Sequence, residues 1–161
     1  PIWLVDEESP SENIMLAVDG SENSLRAVDH LAFIIGGNTD LKISFFHVAP
    51  RLGDFCPVDF EESDSQALEE IIRQGDQQCI DRFFAHARKR LGEAGIQENQ
   101  ISYKAGESVI RVGKAVLDEY RKGKFGTLIV GRQGMNKKFF TGSVSRYLVN
   151  QFTGGALWVV P

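Results

Sequence analysis

Two stretches carry the residue types that could do chemistry. The first is GRQGMNKKFFTGSVS, in which Gly131, Gly134 and Gly142 lead into Ser143. Glycine removes the side chain that would keep a phosphate from the backbone N–H groups, and a helix N-terminus adds unpaired donors and a partial positive charge. The dipole supplies only about 0.3–1 kcal/mol at an exposed site. Several N–H contacts would therefore have to act with Ser143, Val144 and Ser145 at the helix start, and with Lys137 or Lys138. Three turn glycines between a strand and a helix are the plainer reading of the same residues. The spacing is neither that of a Walker A loop nor that of a dinucleotide fingerprint.

The second stretch is VDGSENS, where Asp19 ends an apolar run and Gly20 and Ser21 follow. A carboxylate placed there can accept from ribose hydroxyls or reach a metal held by phosphates. It can equally form an Asx turn that starts a helix.

These residues must be positioned by something. The apolar run over 14–18 suits a strand buried on both faces. Leu25, Val28, Leu31, Ala32 and Ile35 then recur at helical spacing until Gly36 and Gly37, which predicts a helix over 24–35. A strand is expected over 41–48. An acidic segment over 51–65, with Gly53 and Pro57, reads as a surface loop. A long helix starting near 67 carries Leu68, Ile71, Ile72, Cys79, Phe83, Ala87 and Leu91 on one face. A strand over 101–104 follows, then a helix capped by Ser108 that Gly123 ends, a strand over 127–130, a helix over 143–152 and a strand over 157–160. Strands alternating with helices mean parallel pairing and right-handed crossovers, so the fold class is α/β, an open doubly wound sheet with helices on both faces. Ligands in such sheets sit outside the carboxyl ends of the strands, where strand order reverses.

Composition narrows the field. The chain has 161 residues, 42% of them hydrophobic and 25% charged, which fits one domain with a substantial core. A net charge of -4 gives no broad basic footprint for nucleic acid, and no apolar run approaches the roughly 18 residues of a membrane span. Neither nucleic acid nor membrane is an expected partner. Cys56 and Cys79 form neither a zinc pattern nor a disulfide framework, and reduced thiols in a cytoplasmic protein are the expectation. His47 reads as a core or supporting histidine, His30 and His86 as surface residues of helices. Phe83-Phe84 and Phe139-Phe140 read as packing rather than stacking platforms.

MLAVDGSENSLRAVDHL near the front, FFHVAP in the middle, and LIVGRQG followed by GSVSRYL near the end resemble the universal stress protein family, in the right order and over residues 13–161. The resemblance implies five parallel strands in the order 3-2-1-4-5, which brings Asp19 close to Gly131. It implies ATP with Mg²⁺ as ligand: Asp19 and Gly131 at the ribose, the Val48 main chain at adenine, and Gly134, Gly142 and Ser143 at the phosphates. Ala17, Val144 and Ser145 complete the candidate set. One departure stands out. Seven residues separate Gly134 from Gly142 where the family motif has nine. Two residues span at most about 7 Å extended or about 3 Å helical, so the loop either wraps the phosphates more tightly or does not wrap them.

The chain also opens on PIWLV and closes on ALWVV, an echo that aligns Trp3 with Trp158, the only two Trp in the sequence. Between the echo and the domain lies DEESPSEN, which reads as a linker. Because family members often occur as tandem copies paired through the last strand, residues 1–12 are expected to be the tail of a preceding copy plus linker, and 13–161 the domain. An N-terminal extension covering a sheet edge is the rival. The expected function is a stress-associated regulatory ATP-binding module that pairs as a homodimer or within a tandem chain. The alternatives are a pairing scaffold without nucleotide and a weak ATPase.

Overall fold

The computed structural model describes residues 1–6, 11–49, 62–107, 111–132 and 143–161. Its elements are β1 (Ile2–Val5), β2 (Ile14–Val18), α1 (Glu22–Ile35), β3 (Ile43–Ala49), α2 (Glu62–Glu93), β4 (Ile101–Glu107), α3 (Val112–Lys122), β5 (Thr127–Gly131), α4 (Ser143–Gln151) and β6 (Ala156–Val160). The sheet runs β1-β6-β5-β2-β3-β4. Strands β2 to β6 are mutually parallel and keep the expected order. The strand count is corrected from five to six, because β1 adds antiparallel to the β6 edge.

The inner strands β2, β3, β5 and β6 bury residues on both faces, and the alternation of side chains sorts the core into two layers. Ile14, Leu16, Val18, Phe45, Ile129 and Trp158 pack with residues of α1 and α2 such as Leu31, Phe83 and Leu91. On the other face Met15, Phe46, Leu128, Val130, Leu157 and Val159 pack with Val116, Tyr120 and Leu148 from α3 and α4.

Strand β1 joins this frame in a particular way. Its register pairs Ile2 with Val159, Trp3 with Trp158 and Leu4 with Leu157. The Trp that matches Trp158 by sequence is thus the Trp that faces it, so the two segments are related by a local two-fold axis through the Trp pair. The rings stack at 4.6 Å with 9° between their planes. Asp6 secures the end of β1: its N–H donates to the Gly155 carbonyl at 3.0 Å, and its Oδ2 accepts from the Gly154 N–H at 2.8 Å. The outer side of β1 remains open, with Ile2 63% and Val5 72% exposed. His30, expected at the surface, is instead half-buried edge-on against both indoles.

Helix boundaries differ at two places. Helix α2 begins at Glu62, five residues before the apolar spacing suggests. Helix α3 begins at Val112 with Arg111 as N-cap. The expected cap, Ser108, lies outside the described residues, as does most of the acidic loop. Phe83 and Phe84 are packing residues as expected, grouped edge-to-face around Phe45. Phe139 and Phe140 fall outside the described residues. No described helix is long and apolar enough to cross a membrane.

Candidate functional site

The site is built at the point where the chain leaves β2. Strand β2 pairs with β3 on one side and with β5 on the other, so the crossovers diverge there, at the switch point beyond whose carboxyl ends doubly wound sheets place a crevice. The register fixes who meets whom. Ala17 is level with Val130 and Val18 is level with His47. One step further along, Asp19, Val48 and Gly131 therefore occupy adjacent strand ends, and Ala17 lies just beneath them. Four of the candidate residues, from three segments distant in sequence, share one edge.

Asp19 is held by the start of α1. Its Oδ1 accepts from the Ser21 N–H at 3.1 Å and from the Ser24 hydroxyl at 2.7 Å, while its own N–H donates to Ser24 Oγ at 3.2 Å. Ser21 caps the helix, its side chain accepting from the Ser24 N–H at 3.2 Å. The Asx turn is formed, and it fixes the Asp19 carboxylate at the carboxyl end of β2. Gly20 sits at φ +77, and a Cβ on it would come within 2.9 Å of Cys79 Sγ on α2. Gly131 is explained by packing as well as by ligand access, since a Cβ there would lie 3.3 Å from the main chain of Asn23 in the first turn of α1.

On the far side of the crevice the Arg132 N–H donates to the Val160 carbonyl at 2.6 Å, and Ser145 Oγ donates to the Arg132 carbonyl at 2.8 Å. Ser145 is buried and ties the first turn of α4 to the end of β5, whereas Ser143 is exposed and Val144 half-buried. Val48 buries its side chain on the α3 and α4 face and brings its main chain to the edge. Gly134, Gly142, Lys137 and Lys138 lie outside the described residues. Among the described residues no group of three or more His, Cys, Asp or Glu could hold a metal ion.

One feature escaped the sequence reading. His47 Nδ1 lies 3.0 Å from the Val18 carbonyl oxygen, and Nε2 lies 2.9 and 3.1 Å from the two carboxylate oxygens of Asp76. The signal was present: Asp76, Ile80, Phe83 and Ala87 recur at helical spacing, so a carboxylate occupies the stripe that faces the sheet.

A parallel sheet whose strand order reverses at β2, with a capped turn holding a carboxylate there and a glycine ending the neighbouring strand, defines the doubly wound class of α/β domains. The universal stress protein family model matches residues 10–160, and the chain belongs to that family. No curated protein sequence matches it. Among solved structures, a universal stress protein from Lactobacillus plantarum is similar at 13% identity and a TM-score of 0.68, covering 96% of this chain and 100% of that one. The Arabidopsis thaliana family protein with AMP bound has 16% identity, a TM-score of 0.60 and coverage of 94% and 91%. The Archaeoglobus fulgidus protein in complex with dAMP has 15% identity, a TM-score of 0.58 and coverage of 92% and 97%. At these identities the likeness is one of fold.

Proposed function

We propose that this domain is a regulatory adenine-nucleotide module, that its ligand is ATP with Mg²⁺, and that it acts in the cytoplasm by pairing through its last strand. The observation that carries this reading is the placement of Asp19 and Gly131 side by side at the switch point, with Asp19 oriented by the capped turn of α1. Relatives of the same fold hold AMP and dAMP. In this reading Asp19 and Gly131 contact the ribose and Ala17 lines its floor. The Val48 main chain meets adenine, and Gly134, Gly142, Ser143 and the N–H groups of Val144 and Ser145 receive phosphates. Calorimetric titration of ATP with Mg²⁺ into the wild type and a Gly142→Val variant tests it. Saturable binding near micromolar, about -8 kcal/mol, that is lost in the variant supports the site. Absence of binding below millimolar in the wild type sinks it and leaves a pairing scaffold.

The pairing element has its own support. The local two-fold axis through Trp3 and Trp158 is the arrangement that two copies of one strand adopt when paired antiparallel, and residues 1–12 are read as the tail of a preceding copy plus linker. Intact-mass analysis of the protein from its native source decides this, and a mass of single-domain size rejects the tandem arrangement.

A further inference from the structure

His47 and Asp76 form a hydrogen-bonded pair that the reading above does not use, and it is almost completely withdrawn from water, with side chains 9% and 13% exposed. The geometry dictates where hydrogens sit. A carbonyl oxygen only accepts, so Nδ1 donates to Val18, and Nε2 shares its hydrogen bond with the two carboxyl oxygens of Asp76. A buried pair of this kind is a weak source of net stability, because apolar residues of similar volume pack as well without the desolvation cost. Its distinctive property is direction.

That direction converges on Asp19. The Val18 carbonyl and the Asp19 N–H belong to one peptide unit. His47 grips the carbonyl end from β3, and Ser24 accepts from the N–H end at 3.2 Å from α1. Three residues beyond Asp76 on the same helix, Cys79 fills the space a side chain on Gly20 would need. The turn that presents the Asp19 carboxylate is therefore bounded by α1 on one side and by α2, through Asp76 and Cys79, on the other.

We propose that His47, oriented by Asp76, is a positioning residue of the nucleotide site: it fixes the Val18–Asp19 peptide so that the Asp19 carboxylate stands where a ribose diol can donate to it. The inference rests on the nucleotide reading above and deepens it. Neither His47 nor Asp76 touches the nucleotide. The role is to make the ribose contact selective for hydroxyls, since a misoriented carboxylate would accept no better from a diol than from water. It also makes the ribose end of the site answer to the placement of α2.

The test compares ATP with 2′,3′-dideoxy-ATP, each with Mg²⁺, by calorimetry. The wild type is expected to prefer ATP about tenfold or more, as a charge-assisted hydrogen bond does. In the double variant His47→Leu/Asp76→Leu, which leaves no unpaired buried charge, the preference is expected to fall to within about twofold while the dideoxy-ATP affinity stays within about threefold of wild type. A merely structural loss would weaken both ligands equally, and that outcome overturns the proposal. So does a preference that survives intact. Should circular dichroism show the double variant unfolded, His47→Gln replaces it: glutamine has one nitrogen where the ring has two, and the same loss of preference is expected. Wild-type protein that binds neither ligand overturns the nucleotide reading itself. Equal binding of both by the wild type overturns the ribose role of Asp19 and this inference with it.

Discussion

Trp3 and Trp158 face each other across the β1–β6 pairing with ring centroids 4.6 Å apart, and His30 meets both at 5.8–6.1 Å edge-on. The stack closes an edge that β6 would otherwise leave open, and it joins the N-terminal strand to α1. Replacing Trp3 by Ala removes the stack and leaves Trp158 uncovered. A loss of about 1–2 kcal/mol is expected from urea unfolding, together with disappearance of the coupled indole signal in near-ultraviolet circular dichroism. A variant with unchanged stability and signal would show that the stack does not form in solution.

The same contact makes the edge sensitive to acid. Burial against the indoles holds the His30 imidazole below its ordinary value of 6.5. A base with a depressed folded value takes up its proton more readily in the unfolded chain. Its contribution to stability is therefore present above pH 6.5 and lost as pH falls through the lower folded value. Unfolding midpoints measured from pH 7 to about pH 5 should decline, and His30→Gln should flatten that part of the decline.

Tyr120 acts at the opposite end of the pH range. Burial pushes its phenol up to about 12, and its hydroxyl donates to the Gly154 carbonyl at 2.7 Å. An acid with a raised folded value contributes stability that is complete below pH 10.0 and is lost as pH rises toward 12. The phenolate absorbance band of Tyr120 should accordingly appear only as pH approaches about 12. Tyr120→Phe should remove that step and cost about 1 kcal/mol near neutrality, leaving the Gly154 carbonyl without this donor.

Gly75 lies within α2, exposed, with nothing within 4 Å of where a Cβ would sit. Gly75→Ala is accordingly expected to stabilise the domain by about 0.5–1 kcal/mol, through a smaller loss of backbone freedom on folding. Thermal unfolding checks it, and a lower midpoint would mean that this part of α2 needs the freedom of glycine.

Gly131 behaves in the opposite way. A methyl group there would press at 3.3 Å on the backbone of Asn23, which cannot yield as a flexible side-chain end could. Gly131→Ala should cost about 1–2 kcal/mol and weaken ATP binding by moving the first turn of α1, and with it Ser21 and Ser24, away from Asp19. Unfolding and calorimetry on one sample distinguish the two effects.

Much of this was legible beforehand because it depends on local pattern. Apolar runs of four or five residues separated by helical stripes led to the parallel sheet, and the helix starting at Ser21 followed from its own capping chemistry. Other features depended on partners far away in the chain. The acidic residues before Ala67 gave no apolar spacing, so the early start of α2 was missed. His30 looked like a surface residue because nothing on its helix reveals that Trp3 and Trp158 close over it.

Read alone, the chain determined the alternating strands and helices and placed Asp19 and Gly131 at strand ends, since alternation and capping are properties of neighbouring residues. Only the tertiary structure decided which of those ends are adjacent, that Gly131 must be bare to admit α1, and that a carboxylate on α2 steers a histidine toward the peptide before Asp19. The physical reason is separation: His47 and Asp76 are 29 residues apart, Asp19 and Gly131 farther still, and no local rule of propensity or periodicity encodes a hydrogen bond that exists only after the sheet has brought its strands together.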